Sequence, residues 1–219
     1  GVDALLLLAD PKARPARVVA QAVRALGQIA DPRATAPLVA LARQRDLDEN
    51  VRLEAIIALG LIGGKPAVET IVDHVAAPWA PLRAAAFRAL ATVDPESFFT
   101  VLSGLDLDPH WSVRAEQAGL FAGLDPARAL PAIRLRWADD DPRVKAAALT
   151  ALAAVKAPDL GAQVSAALAA EAEVLRTAAV NLVAREKLPD AAALLRAAYE
   201  RGKQDKGFDA RAAALEGLA

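Results

Sequence analysis

At 219 residues the chain exceeds the usual length of one compact domain, so it folds either as two domains or as an elongated array. A hydrophobic share of 55% with only 4% aromatic residues calls for an aliphatic core rich in helix-forming Ala and Leu. Lys and Arg number 26 against 27 Asp and Glu, a net charge of −1 that argues against a nucleic-acid or anionic-membrane partner, and the lack of Cys excludes disulfides, thiolate metal sites and a Cys nucleophile.

Ala4–Leu8 reads as the second half of a helix pair. Its apolar run is too short and too poor in flanking bases for a signal peptide, and no stretch approaches the ~20 apolar residues of a membrane span. A soluble chain is expected, with the cytoplasm as its default compartment. The next helix starts near Val18 and aligns Ala22, Val23, Leu26 and Gly27 on one face. From Val51 a repeat emerges. An apolar residue followed by a base occurs at Val51-Arg52, Leu82-Arg83, Val113-Arg114, Val144-Lys145 and Leu175-Arg176, each 31 residues after the last. Four residues later stand Ala55, Ala86, Gln117, Ala148 and Ala179, and eight later Leu59, Leu90, Phe121, Leu152 and Val183. The residue after that is always small: Gly60, Ala91, Ala122, Ala153 or Ala184. This spacing is one face of an α-helix, with small residues where a neighbour comes close. A last copy begins at Ala210-Arg211.

Between these helices a second one opens at Pro32, Pro66, Pro95, Pro126, Pro158 and Pro189. Asp31, Asp94 and Asp125 precede three of the prolines, and Asp caps a helix whose first position suits Pro. Neither helix of a pair can bury its apolar face alone, so copies must stack. The expectation is an all-α, right-handed solenoid of about six antiparallel helix pairs, a single repeat domain over residues 1–219. The chain has no Met, and it starts and stops inside copies, so it reads as a piece of a longer array or multidomain protein.

The run Ala25-Leu26-Gly27-Gln28-Ile29-Ala30-Asp31-Pro32-Arg33-Ala34, with Val51-Arg52 and Ala58-Leu59-Gly60-Leu61-Ile62-Gly63, resembles HEAT-like repeats of the phycobilisome-lyase type. The resemblance spans nearly the whole chain, although later copies lose the Leu-Gly pair. It implies a helical-repeat solenoid. Such repeats occur in scaffolds, adaptors, regulatory arms, a few lyases and hydroxylases, so the fold alone does not name the role.

The column Arg52, Arg83, Arg114, Lys145, Arg176, Arg211 sits at helix starts, where the macrodipole disfavours a cation unless a partner compensates. Ties to carboxylates or carbonyls that hold the turns are therefore expected, with Asp46, Asp48, Asp108, Asp139 to Asp141 and Glu171 as nearby acids. The hydroxylases that the fold resembles bind iron through His-Glu pairs. Here Val75 follows His74 and Trp111 follows His110, so neither metal nor cofactor is expected, and no catalytic residue is assigned. A base-excision glycosylase on such repeats needs a strongly basic face. Only Arg128, Arg134 and Arg136 cluster, with Glu116, Asp125, Asp139 and Asp140 nearby in sequence. Two features remain as candidate contacts. Trp79 and His110 stand three residues before Leu82 and Val113, with Trp111 beside them, so aromatic rings share one edge of the stack. On the face away from the core, Arg88, Thr92, Thr150, Asn181 and Arg185 belong to columns that elsewhere hold mostly small residues. The function expected is protein or peptide binding without catalysis. The alternative is a HEAT-like enzyme, a bilin lyase or a DNA glycosylase.

Overall fold

The computed structural model describes residues 1–186 and 190–219. Their regular elements are all helical, and they cluster into two compact units, residues 1–113 and 114–219. The first unit holds α1 (Val2–Leu8), α2 (Ala16–Ile29), α3 (Thr35–Arg43), α4 (Glu49–Ile62), α5 (Lys65–Val72), α6 (Ala80–Val93) and α7 (Pro95–Ser103). The boundary falls within α8 (Trp111–Leu120), although the sequence period runs through it unbroken. The second unit continues with α9 (Pro126–Trp137), α10 (Pro142–Ala154), α11 (Leu160–Leu168), α12 (Glu173–Glu186), α13 (Ala191–Gly202) and α14 (Asp209–Leu218).

The base-bearing helices form one layer of each unit. In the first, α2 packs on α4 and α4 on α6, while α1, α3, α5 and α7 supply the second layer. In the second, α10 packs on α12 and α12 on α14, with α9, α11 and α13 alongside. The repeat columns are the core. Val51, Leu82, Val113 and Val144 are buried, as are Leu59, Leu90, Phe121, Leu152 and Val183. Each such Leu or Phe contributes roughly 1.5–3 kcal/mol of hydrophobic stabilisation. Phe87 and Phe98, both buried, meet edge to face at 6.3 Å in the first unit's core. The first copy departs from the template. Val18 is exposed and Val19 is the buried residue, because the turn between α1 and α2 lies in solvent and does not cover that corner.

The turns follow their chemistry. Asp31, Asp94 and Asp125 each accept a backbone N–H of the following helical turn, from Arg33, Ser97 and Arg128 at 2.9, 3.1 and 3.0 Å. Asp48 and Asp141 cap α4 and α10 in the same way. Pro158 does not open its helix. It precedes Asp159, the residue before α11, whose side chain makes no cap bond. Pro189 lies outside the described residues.

Gly27 and Gly60 explain the close packing of the first copies. A Cβ on Gly27 would lie 2.7 Å from the Ala58 Cα, and one on Gly60 2.6 Å from the Ala89 Cβ. Helix α4 therefore approaches both neighbours at a distance that only glycine permits. Gln117 marks the opposite adjustment. It fills a column held by Ala in the neighbouring copies, and its Oε1 accepts Arg136 Nη2 at 2.9 Å, both side chains being buried. Burial lowers the Arg136 pKa from its ordinary value.

Candidate binding edge

The arginines of the base column serve the turns. Arg83 donates from Nε and Nη2 to the Asp108 carboxylate at 2.6 and 2.7 Å, and from Nη1 to the carbonyls of Ala77 and Pro78 at 2.9 and 3.0 Å. Arg114 grips Asp139 in the same way, at 2.6 and 3.1 Å. Arg176 donates to the Ala170 and Glu171 carbonyls and to Asp205. Arg211 reaches the Gly207 carbonyl at 3.1 Å, and Arg52 the Ala42 carbonyl at 3.2 Å. The acid bound by Arg83 or Arg114 belongs to the next copy, not to the turn just before that Arg. Each bond therefore ties two copies together.

These pairs hold their carboxylates ionised. Burial would raise the Asp108 pKa, but Arg83 and the His110 N–H outweigh it and hold it below the ordinary value. Hydrogen bonding by Arg114 likewise lowers Asp139. Arg143, which donates to Asp141 at 2.7 and 3.0 Å, lowers that carboxyl to about 2.

The Asp108 tie fixes the aromatic edge. Asp108 also accepts the backbone N–H of His110 at 2.8 Å, and His110 Nδ1 lies 2.7 Å from Ser112 Oγ. The imidazole stacks on Trp111 at 6.0 Å with 26° between the planes. One copy earlier, Trp79 caps α6, its carbonyl accepting the N–H groups of Leu82 and Arg83. A depression of about 630 Å³ opens between the two turns, walled by Pro78, Trp79, Ala80, Pro81, Arg83, Pro109, His110 and Ser112. Trp79 and Trp111 are half-buried and His110 is exposed. The expected neighbours Trp79 and His110 thus share one depression, and Trp111 bears on it through its stacking.

The remaining candidates lie elsewhere. Arg88 and Thr92 border a small apolar groove with Ile57, Gly60, Leu61, Ala85 and Ala89. Thr150, Asn181 and Arg185 are exposed on α10 and α12. The hydroxyls of Thr92 and Thr150 bond back to the Arg88 and Ala146 carbonyls of their own helices, and Arg185 pairs with Glu186.

A second depression, about 780 Å³, adjoins the aromatic one at Pro78. Arg43, Arg45, Glu49, Arg52, Asp73, His74, Ala76 and Ala77 complete its wall. Arg43 pairs with Asp73 at 3.1 Å. His74 is buried, with Nδ1 2.7 Å from the Thr70 carbonyl and Nε2 2.9 Å from that of Ala42. Both ring nitrogens thus face carbonyl oxygens of the chain itself. Sequence reasoning passed over Arg43 and Arg45. The signal was available, because Ala77 occupies the place that Asp108 and Asp139 hold in later copies.

A family model for HEAT repeats matches residues 2–91. These residues are HEAT repeats. The match ends as the Leu-Gly pair of the first copies gives way to Leu-Ala at Leu90-Ala91. No curated protein matches the chain. Among solved structures, the chain resembles one in the complex of CpcE and CpcF of phycocyanin lyase from Nostoc, at 19% identity and a TM-score of 0.50, over 92% of this chain and 88% of that one. Human deoxyhypusine hydroxylase in complex with glycerol is similar at 18% identity and a TM-score of 0.38, over 93% and 79%. A designed armadillo repeat protein aligns over 100% of both chains at 18% identity and a TM-score of 0.35. At such identities the lyase likeness establishes the helical-repeat solenoid fold and nothing about chemistry. Among the described residues no helix is long and apolar enough to cross a membrane.

Proposed function

We propose that this HEAT-like chain is a protein- or peptide-binding module whose contact edge is the depression at Trp79 and His110. The observation that carries the reading is the setting of those rings. Prolines 78, 81 and 109 stiffen the turns, and Asp108 pins the second turn through Arg83 and the His110 N–H. A half-buried Trp in a rigid, open depression offers a large contact area at little entropic cost. Edges of this kind supply the aromatic anchors of protein interfaces. The phycocyanin lyase structure is itself a complex of two chains, which fits a fold that works by docking on another protein. The lyase alternative has the likeness of fold behind it and nothing more specific.

The test is selection of binders from a displayed random peptide library, followed by affinity measurement on variants. Trp79→Ala and His110→Ala should each weaken the selected peptides, Trp79→Ala by ~2 kcal/mol or more, while circular dichroism stays helical. Peptides that bind Trp79→Ala as tightly as the original chain would show that the edge is not the contact.

A further inference from the structure

The pocket beside the aromatic edge lacks one carboxylate that the repeat pattern supplies elsewhere. Residue 77 stands five places before Leu82, as Asp108 stands before Val113 and Asp139 before Val144. Asp108 and Asp139 fill the forks of Arg83 and Arg114, the bases one copy earlier. The equivalent base for position 77 is Arg52, and position 77 is Ala. Among the described residues Arg52 donates only from its Nε, to the Ala42 carbonyl, and it borders a depression of about 780 Å³. Arg45 borders the same space and is exposed.

We propose that this pocket seats a carboxylate from an acidic segment of a partner protein, held by the Nη1 and Nη2 groups of Arg52 while its Nε stays on the Ala42 carbonyl. The inference rests on the binding-module reading and names the chemistry of the partner. Two observations favour a peptide carboxylate over a phosphate group. The repeat position is one filled twice in this chain by Asp, and the Nη1–Nη2 edge of the Arg52 guanidinium is a planar fork that matches a carboxylate's two oxygens. Glu49 and Asp73 also line the pocket, and Asp73 already engages Arg43, so the site tolerates a single negative charge better than a doubly charged phosphate. Because the pocket meets the aromatic depression at Pro78, a segment with an acidic residue near an apolar one can occupy both.

The probe is blocked hexa-aspartate, titrated calorimetrically at low salt and followed by the NMR resonance of Arg52 Nε–H. Saturable binding is expected. Arg52→Gln should raise Kd at least tenfold, Arg45→Gln about threefold, and Arg17→Gln, an exposed cation outside the pocket, should leave it unchanged. Ala77→Asp should abolish binding by filling the seat from within, with a melting temperature equal to or above the original. If Ala77→Asp fails to fold, Arg52→Gln decides. Unchanged affinity in Arg52→Gln overturns the proposal, and so does succinate or tripolyphosphate binding as tightly as the peptide. Trp79→Ala separates this inference from the reading beneath it. Selected peptides that depend on Trp79 but not on Arg52 leave the binding edge standing and remove the carboxylate seat.

Discussion

Asp139 belongs to the copy after the one that carries Arg114, and its two oxygens take the Nε and Nη2 protons of that guanidinium at 2.6 and 3.1 Å. The partners are mostly buried, with side-chain exposures of 16% and 5%. A bidentate pair in that setting is worth more than a surface ion pair, and truncating one partner leaves the other charge unpaired. Arg114→Ala should therefore lower stability by about 2–3 kcal/mol, seen as a lower urea midpoint at unchanged slope. A midpoint within error of the original would mean that the tie contributes nothing.

Acid should act through the same carboxylates. Asp108, Asp139 and Asp141 have folded-state pKa values below the ordinary one, with Asp141 at about 2. A depressed carboxylate contributes its full stability above the unfolded value of roughly 3.9 and loses it as pH falls through the folded value. Melting temperature should be flat with respect to these groups above about pH 5 and fall between roughly pH 4 and 2. Asp139→Asn should start lower and lose less across that window. A variant falling as steeply as the original would assign the acid lability to other groups.

Glycines at two kinds of position should respond in opposite ways. Gly27→Ala and Gly60→Ala place a methyl 2.7 and 2.6 Å from atoms of the adjoining helix. The gain in helix propensity is ~1 kcal/mol, and forced overpacking costs ~1–3 kcal/mol. Both should destabilise. Gly119 in α8 is exposed and has nothing within 4 Å of its would-be Cβ, so Gly119→Ala should stabilise by ~0.5–1 kcal/mol. Thermal melts of the three variants read the contrast directly.

The repeat was legible because its columns are the core. Val51, Ala55 and Leu59 recur at fixed spacing since each must meet the same neighbour in the next copy. The Asp-Pro openers at Asp31, Asp94 and Asp125 were legible for a local reason, since a cap involves only residues within one turn of each other. The destination of the Arg column was half legible. Ties to acids and carbonyls follow from the macrodipole, but which acid is used depends on the rise between copies, and a sequence does not display that distance. Val18 misled because its place in the column is right while its side chain stays exposed and Val19 is buried instead. The pocket at Arg52 escaped notice because its signal is a missing residue, Ala77, visible only once Arg83 and Arg114 have been matched to Asp108 and Asp139.

The buried Gln117–Arg136 pair offers the sharpest test of that column logic. Gln117 stands where Ala55, Ala86, Ala148 and Ala179 stand in other copies, and its Oε1 is the side-chain acceptor for Arg136 Nη2. Arg136 is 6% exposed and its Nε has no partner among the described residues, so these leave the guanidinium incompletely satisfied even with Gln117 present. Gln117→Ala restores the small residue of the column yet removes that acceptor, and should cost about 2–3 kcal/mol, the worth of a hydrogen bond to a buried charge. Arg136→Met should cost less. It removes the buried charge and relieves the repulsion that Arg114 exerts on Arg136, although it forgoes the attraction of Asp139 and takes a donor from the buried Gln117 oxygen. The double variant should be at least as stable as Arg136→Met alone, because an apolar replacement of a buried polar pair is commonly neutral or better. A double-mutant cycle by urea denaturation gives the coupling energy between the two positions. If Gln117→Ala proved neutral, Arg136 would have to be reaching water or another acceptor, and the pair would not be what sets Gln in an alanine column.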